Sequence, residues 1–229
     1  MDETEARVQT EEQALNPWFS MWTKPRATIR QIVAANPRRL VLALAAIVGI
    51  SEGLDASARH LARETLDVAA FYSIALIVAG IGAIFSMIGL YISAAFIRWT
   101  GVWIGGRASK VSIRAAIAWS FVPIIWVAPL SFLTVVLFAT VGQVSGDGAS
   151  PLLGFSRAFF VGVAGVAGVT GFVAELWSFV LLLKSLGEVQ GFSAWKALGN
   201  LMLSALLFLI VIVVVSFVVY LVYLVIERV

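Results

Sequence analysis

The chain has 229 residues, of which 61% are apolar and 13% charged, with a mean hydropathy of +0.98 and a net charge of +3. A soluble domain carries about 25% charged residues, so lipid must be part of the solvent of this chain. There is no cysteine and only one histidine, His60, which excludes disulfides, thiolate sites and multi-histidine metal clusters. The basic residues flank apolar segments and form no long tract, so we expect no nucleic-acid partner, and nothing indicates a cofactor.

Two segments of different character precede the first long apolar stretch. Residues 1–15 include five Asp or Glu, which predicts a disordered acidic tail in the cytoplasm. Residues 16–38 mix aromatic, basic and aliphatic side chains, with Ile29 and Ile32 at helical spacing. We expect an amphipathic helix on the membrane surface, with a structured linker as the alternative. The residues expected to contact acidic lipid headgroups are Lys24, Arg26 and Arg30.

Five later segments are long and apolar enough to cross a bilayer, which takes about 20 helical residues. Barrel strands alternate apolar and polar residues, and stretches such as LFLIVIVVVSFVVYLVYLVI do not. The predicted fold class is therefore all-α: a polytopic membrane protein whose five-helix transmembrane domain covers residues 39–229. The predicted spans are, approximately, 39–57, 71–99, 117–141, 158–183 and 201–226.

The positions of Lys and Arg predict the orientation, because cytoplasmic loops are enriched in both. With the N-terminus in the cytoplasm, 12 of the 16 Lys and Arg residues fall on the cytoplasmic side. The reverse orientation would invert this three-to-one bias. Five spans then place the C-terminus outside.

Two charged residues within the predicted spans are candidates for function, since a charge in lipid is costly. Glu175 lies nine residues before Lys184, and Arg98 lies nine residues before Arg107. We therefore expect Arg98 and Glu175 to lie at similar depth and to form an intramembrane polar pair. In the alternative, Arg98 extends to the membrane surface and Glu175 is protonated or hydrogen-bonded.

Other polar residues and the prolines of the spans give further candidates. Glu52 and Asp55 lie near the outer end of the first span, where two carboxylates could bind a cation, although a solvated helix end is the simpler account. Pro123 and Pro129 lie in the third span, where each removes a backbone hydrogen bond and is expected to kink the helix.

Small residues are frequent in the fourth span and predict close helix packing, within the protein or between copies. The glycines repeat at intervals of three, and the first span has Gly49 and Gly53 at GxxxG spacing. The glycines of the fourth span are Gly162, Gly165, Gly168 and Gly171.

No enzyme signature is present in the sequence. HExxH needs two histidines, and neither a GxSxG nucleophile elbow nor a P-loop occurs. We therefore expect a protein that is not an enzyme and holds no metal.

Three stretches carry a resemblance to a known family: NPWFSMWTKPRATIRQIV before the first span, IRWTGVWIGGRASKVSIRAAIAWSFVP leading into the third, and LWSFVLLLKSLGEVQGFSAWKAL between the fourth and fifth. In this respect the chain resembles the Yip family of membrane proteins, named for interaction with Ypt/Rab GTPases, and in particular its bacterial members. The resemblance implies a five-helix bundle in a bacterial cytoplasmic membrane, with the N-terminus inside and the C-terminus outside. Eukaryotic members bind Rab GTPases and act in vesicle trafficking. This sequence lacks the DLYGP-type stretch that precedes their first span, so Rab binding is not carried over.

Two classes of function remain open at the level of sequence. The first is a non-enzymatic, membrane-organising or partner-binding protein, whose partners are membrane lipids and either further copies of this chain or other membrane proteins. The alternative is a small transporter, a channel or a lipid-handling protein that uses Glu175, Arg98 and the kinked third span.

Overall fold

The protein is described by a computed structural model over residues 15–61, 68–141 and 151–227, and the predicted acidic tail lies almost wholly outside these ranges. The described chain is helical and has no strand, which confirms the all-α prediction. Its helices are α1 (Pro17–Thr23), α2 (Pro25–Ala35), α3 (Val41–Leu61), α4 (Val68–Trp103), α5 (Lys110–Ser120), α6 (Val122–Val141), α7 (Pro151–Gln190) and α8 (Ala194–Glu227).

Within the described ranges, five helical segments are long and apolar enough to cross a membrane, as predicted. These are α3, α4, the consecutive pair α5–α6, α7 and α8. The helices extend further than the predicted spans. α7 has 40 residues and is therefore about 60 Å long, whereas the hydrocarbon core of a bilayer is about 30 Å thick. A helix needs no lipid to continue past the membrane surface, so the change from apolar to charged residues does not mark its end.

The third span consists of two helices that meet at Phe121. Its N–H donates to the carbonyl oxygen of Ala118 at 3.3 Å, so a tight turn separates α5 from α6. Pro123 lies in the first turn of α6, where its missing N–H would have no partner within the helix. Pro129 lies inside α6. The two predicted kink residues thus occupy different positions, one at a helix start and one in a helix interior.

Local sequence signals explain where several helices begin and end. The side chain of Asn16 accepts a hydrogen bond from the N–H of Trp18 and caps α1, and Ser109 caps α5 in the same way through the N–H of Ser112. Gly105 and Gly191 follow the ends of α4 and α7 with φ of +88° and +74°. This left-handed conformation commonly ends helices, and glycine adopts it without steric cost.

The closest helix contact in the described chain joins α3 to α4. Gly49 and Gly82 face each other so closely that a Cβ on either would collide with the carbonyl oxygen of the other. One turn further along α3, a Cβ on Gly53 would lie 2.7 Å from the Cα of Ala79. The GxxxG spacing in the first span therefore marks a real contact between two helix backbones.

The glycines of the fourth span do not contact another helix in the described chain, unlike Gly49 and Gly53. A Cβ on any of them would meet no atom of another part of the described chain within 4 Å. These residues therefore leave an open surface on α7, because its neighbours α5 and α6 pack on other sides of the helix. The four positions are Gly162, Gly165, Gly168 and Gly171.

The main hydrophobic core lies at one end of the bundle. Met21 of α1 and Ile29 of α2 are completely buried there, together with Ile113 and the 1% exposed Trp119 of α5. The apolar face of the predicted surface helix is thus packed on protein, with Ile32 also buried, and does not lie against lipid. The reason is that α2 packs across α7 and α5, which offer it an apolar surface of their own.

Candidate functional site

The end of the bundle that contains the core also carries most of the described positive charge, and we call it the basic end. It is formed by α1, α2, the turn at residues 104–109 between α4 and α5, and the turn at residues 191–193 between α7 and α8. Its Lys and Arg residues are Lys24, Arg26, Arg30, Arg38, Arg39, Arg98, Arg107, Lys110, Arg114 and Lys196.

A single carboxylate at the basic end joins the N-terminal helices to the bundle. Glu188, near the end of α7, accepts a hydrogen bond of 2.8 Å from Nε of Arg30, whose Nη2 lies 2.7 Å from the same Oε1 atom. Nη1 of Arg26 lies 3.6 Å from the other carboxylate oxygen. Arg26 and Arg30 are four residues apart and lie on one face of α2, so both reach one acceptor. Glu188 thereby ties α2 to the helix that leads into the fifth span.

Replacing Glu188 with Gln should loosen this attachment without unfolding the bundle. Both arginine side chains are substantially exposed, at 43% and 71%, so we expect a loss of only about 0.5–1 kcal/mol in stability. The clearer readout is trypsin cleavage after Arg26 and Arg30, which should become faster in the variant. Salt should reduce the difference between variant and wild type. Equal cleavage rates at low salt would show that the ion pairs do not hold α2.

Buried polar side chains next to this attachment join α4 to α8. The hydroxyl of Thr100 donates to Oδ1 of Asn200 at 2.7 Å, and Nδ2 of Asn200 donates to the carbonyl oxygen of Ile97 at 3.2 Å. Thr100 and Asn200 are both 0% exposed. The Thr100 hydroxyl also lies 2.9 Å from the carbonyl oxygen of Phe96 in its own helix, so it is the Asn200 amide that would remain buried and unsatisfied if the contact between α4 and α8 broke.

Gln190 completes the polar cluster from the end of α7. It is 2% exposed, and neither its amide oxygen nor its amide nitrogen has a hydrogen-bond partner in the described chain. Its amide fills the space beside Gly101 and Gly106, where a Cβ would collide with Oε1. Gly101 and Gly106 are therefore required for the close approach of Gln190. The arrangement joins three helices and offers neither a nucleophile nor a general base to a substrate.

The expected pair between Arg98 and Glu175 is not formed in the described chain, where Glu188 is the acceptor of each ion pair observed. Arg98 is five residues from the end of α4, or about 8 Å, whereas Glu175 is 15 residues from the end of α7, or about 22 Å. The two therefore differ in depth, because α7 continues beyond Lys184 to Gln190. Nη1 of Arg98 is buried without a hydrogen-bond partner in the same ranges. Glu175 is exposed on the surface of α7.

Glu52, one of the two carboxylates of the first span, lies close to Glu175 of the fourth. Glu52 is near enough to both Asp55 and Glu175 for their charges to interact. Neither Glu52 nor Glu175 forms an ion pair with a basic residue of the described chain. The structure thus brings together two predicted candidates that the sequence had placed in separate groups.

The predicted headgroup residues have unequal roles. Lys24 is exposed at the junction of α1 and α2 and is available to a membrane surface. Arg26 and Arg30 instead direct their guanidinium groups to Glu188. Sequence reasoning did not single out Glu188, Gln190, Thr100 or Asn200. One available signal was that Glu188 is the single acidic residue in the otherwise basic and apolar LKSLGEVQGFSAWK stretch.

Comparison with known proteins adds the family to this geometry. A family model described as the Yip1 domain matches residues 19–225, which include nearly all of the described helices and the polar cluster at the basic end. No curated protein and no solved structure matches the chain. The match covers most of the chain and contains all five candidate spans except the last residue of the fifth, Ile226. The chain therefore belongs to the Yip family, and its multi-pass helical bundle is a Yip1 domain.

Proposed function

We propose that this integral membrane protein is a non-enzymatic organiser of membrane partners and that it presents the basic end to them as a docking surface. The observation that carries the proposal is the attachment of α1 and α2 to the bundle through Glu188 and a buried apolar face. This attachment makes the N-terminal helices part of one ordered surface. An ordered surface binds a partner at lower entropic cost than a mobile segment does.

We further propose that the basic end faces the cytoplasm of a bacterium. The distribution of Lys and Arg supports this orientation, since 12 of 16 fall on that side. Exposed tryptophans near the same end, among them Trp99, Trp103 and Trp195, are also typical of a membrane–water boundary. Trp99 and Trp103 contact each other edge to face with ring centroids 5.8 Å apart.

Charge reversal at the basic end tests the proposal. The double variant Lys24→Glu, Lys196→Glu changes two exposed cations at this end, and Glu227→Lys reverses an exposed charge at the far end of α8 as a control. We expect the amount of each protein that copurifies with the wild type in a mild detergent to fall roughly tenfold with the double variant, because the new glutamates would repel the acidic groups of a partner. The control should leave that amount unchanged. Quantitative mass spectrometry of the purified material measures this. Equal recovery with every variant would contradict docking at the basic end.

Transport is the competing class of function, and a separate measurement addresses it. The non-enzymatic organiser should show no solute flux in proteoliposomes above that of protein-free vesicles. Flux that depends on the protein and is abolished by Glu175→Ala would contradict the proposal and favour a transporter. The separation of Arg98 from Glu175 in depth gives no continuous charged path between them in the described chain.

A further inference from the structure

A cavity of about 300 Å³ lies at the edge of the basic end, between the α2–α3 connection, α4 and α5. It is separate from Glu188 and from the polar cluster around Asn200. Its lining combines apolar side chains with two arginines, one on the α2–α3 connection and one on α5. The lining residues are Pro37, Arg38, Val41, Leu42, Tyr91, Val111 and Arg114.

The charge of this cavity is positive and is not neutralised by the described part of the protein. Neither Arg38 nor Arg114 forms an ion pair there, and no acidic residue lines the cavity. The guanidinium of Arg114 lies 4.2 Å from the centre of the Tyr91 ring, a cation–π contact that orients the group while leaving its charge in place. Two arginines that line one cavity are suited to a phosphate, whose oxygens accept paired N–H donors.

The backbone that carries Arg38 is held in an unusual conformation. The N–H of Arg38 donates to Oδ1 of Asn36 at 3.0 Å, which fixes the turn after α2. Two residues later, Leu40 has a φ of +57°, in the left-handed region that residues other than glycine seldom adopt. Strained backbone of this kind clusters at ligand-binding sites, and it persists only where the surrounding structure holds it in place.

The surface beside the cavity identifies the kind of molecule that would carry the phosphate. Tyr91 is half exposed, and a row of exposed isoleucines on α4 continues from it at alternating helical intervals of three and four residues, away from the basic end. Leu42 on α3 is exposed at the same edge. The row on α4 consists of Ile88, Ile84, Ile81 and Ile77. A phosphate in the cavity would therefore lie at the end of an apolar track long enough for an acyl chain.

We propose that this cavity binds an anionic glycerophospholipid, with its phosphate between Arg38 and Arg114 and an acyl chain along the isoleucine row of α4. The location agrees with the way basic pockets between membrane helices recognise lipid headgroups. The site is independent of partner docking, so either proposal can fail while the other holds.

Lipid binding to purified protein tests the site. Phosphatidylglycerol is titrated into wild-type protein in detergent, with phosphatidylcholine and inorganic phosphate as comparison ligands, and bound lipid is counted by native mass spectrometry. We expect Arg38→Gln, Arg114→Gln to weaken phosphatidylglycerol binding roughly tenfold or more. The control Arg107→Gln, Lys196→Gln removes the same charge from exposed positions outside the cavity and should leave binding within about twofold of the wild type.

Further arms of the experiment separate a specific lipid site from general attraction to anionic lipid and from a site for free phosphate. Arg38→Lys, Arg114→Lys keeps the charge, so folding is preserved, but it removes the paired donors and should weaken binding as well. Equal loss in the cavity variant and the control variant would mean general attraction and would overturn the proposal. If millimolar inorganic phosphate displaces bound phosphatidylglycerol as effectively as added phosphatidylglycerol does, the cavity is a site for free phosphate. That result would also overturn the proposal. Should the glutamine double variant fail to fold, the exposed Arg38→Gln change alone carries the same comparison.

Discussion

Replacing Gly49 with Ala should destabilise the protein, because the added methyl group has no room between α3 and α4. The new Cβ would collide with the carbonyl oxygen of Gly82 and would lie 2.7 Å from Cβ of Ser86. The carbonyl oxygen is a backbone atom and the Cβ of Ser86 is fixed to the backbone, so no side-chain rotation relieves the collision and α3 must move from α4. We expect the free energy of unfolding to fall by about 1–3 kcal/mol. Thermal unfolding in detergent, followed by tryptophan fluorescence, measures the change.

Gly165→Ala is the matched control for this prediction. The substitution is the same and the residue also lies in a membrane-spanning helix, but nothing in the described chain lies within 4 Å of the added methyl group. Its expected effect is zero or a gain of up to about 1 kcal/mol from helix propensity. Equal destabilisation by both variants would mean that the Gly165 surface is covered, as it would be between two copies of the chain. No effect of Gly49→Ala would contradict the close approach of α3 and α4.

Asn200→Ala should detach the last helix from the bundle. In the described chain, α8 buries Ala197, Asn200 and Ser204 near its start, and most of its remaining length is exposed. Removal of the Asn200 amide leaves the Thr100 hydroxyl without its acceptor on α8 and opens a small cavity. We expect a loss of about 1–3 kcal/mol in the stability of the α4–α8 contact, because the bonds of the Asn200 amide to Thr100 and to the carbonyl oxygen of Ile97 are lost and a cavity remains.

The absence of cysteine from the sequence allows a direct measurement of this detachment. A cysteine introduced at Ser204, which is 6% exposed, should react slowly with a maleimide in the otherwise unchanged protein and much faster when Asn200→Ala is added. Gly199→Ala is the control, since the added methyl group meets nothing within 4 Å in the described ranges, and it should leave the reaction rate unchanged. An unchanged rate with Asn200→Ala would show that apolar contacts alone hold α8.

The positions of the charged and polar residues show which parts of the site the sequence could predict. The clustering of basic residues at one end follows from their order along the chain and the number of spans, so sequence reasoning predicts it. The depth of Glu175 could not be predicted in this way, because it depends on where α7 ends. The prediction used Lys184 as the end, whereas the helix continues to Gln190. Six further residues of helix move Glu175 about 9 Å deeper relative to that end.

The glycines and the N-terminal helix α2 likewise show that sequence predicts which residues share a face but not what packs against that face. The motif at Gly49 and the glycine repeat on α7 look equally suited to close packing, yet only the first contacts another helix in the described chain. Spacing identifies which residues share a face but gives no information about what faces it. For α2, the spacing indicates that Ile29 and Ile32 share a face, while their burial against α7 and α5 depends on contacts between distant parts of the chain.

The sequence by itself determined the solvent, the helical class and the number of spans, because in lipid each long apolar segment must satisfy its own backbone hydrogen bonds and helices do so locally. The tertiary structure alone decided that Glu188 holds α2, that Asn200 joins α8 to α4, and that Arg38 and Arg114 share a cavity. These contacts join residues far apart in the chain: Arg30 and Glu188 are separated by 158 positions, and Thr100 and Asn200 by 100. Such pairings depend on which helix lies beside which, and local propensity and composition do not specify that.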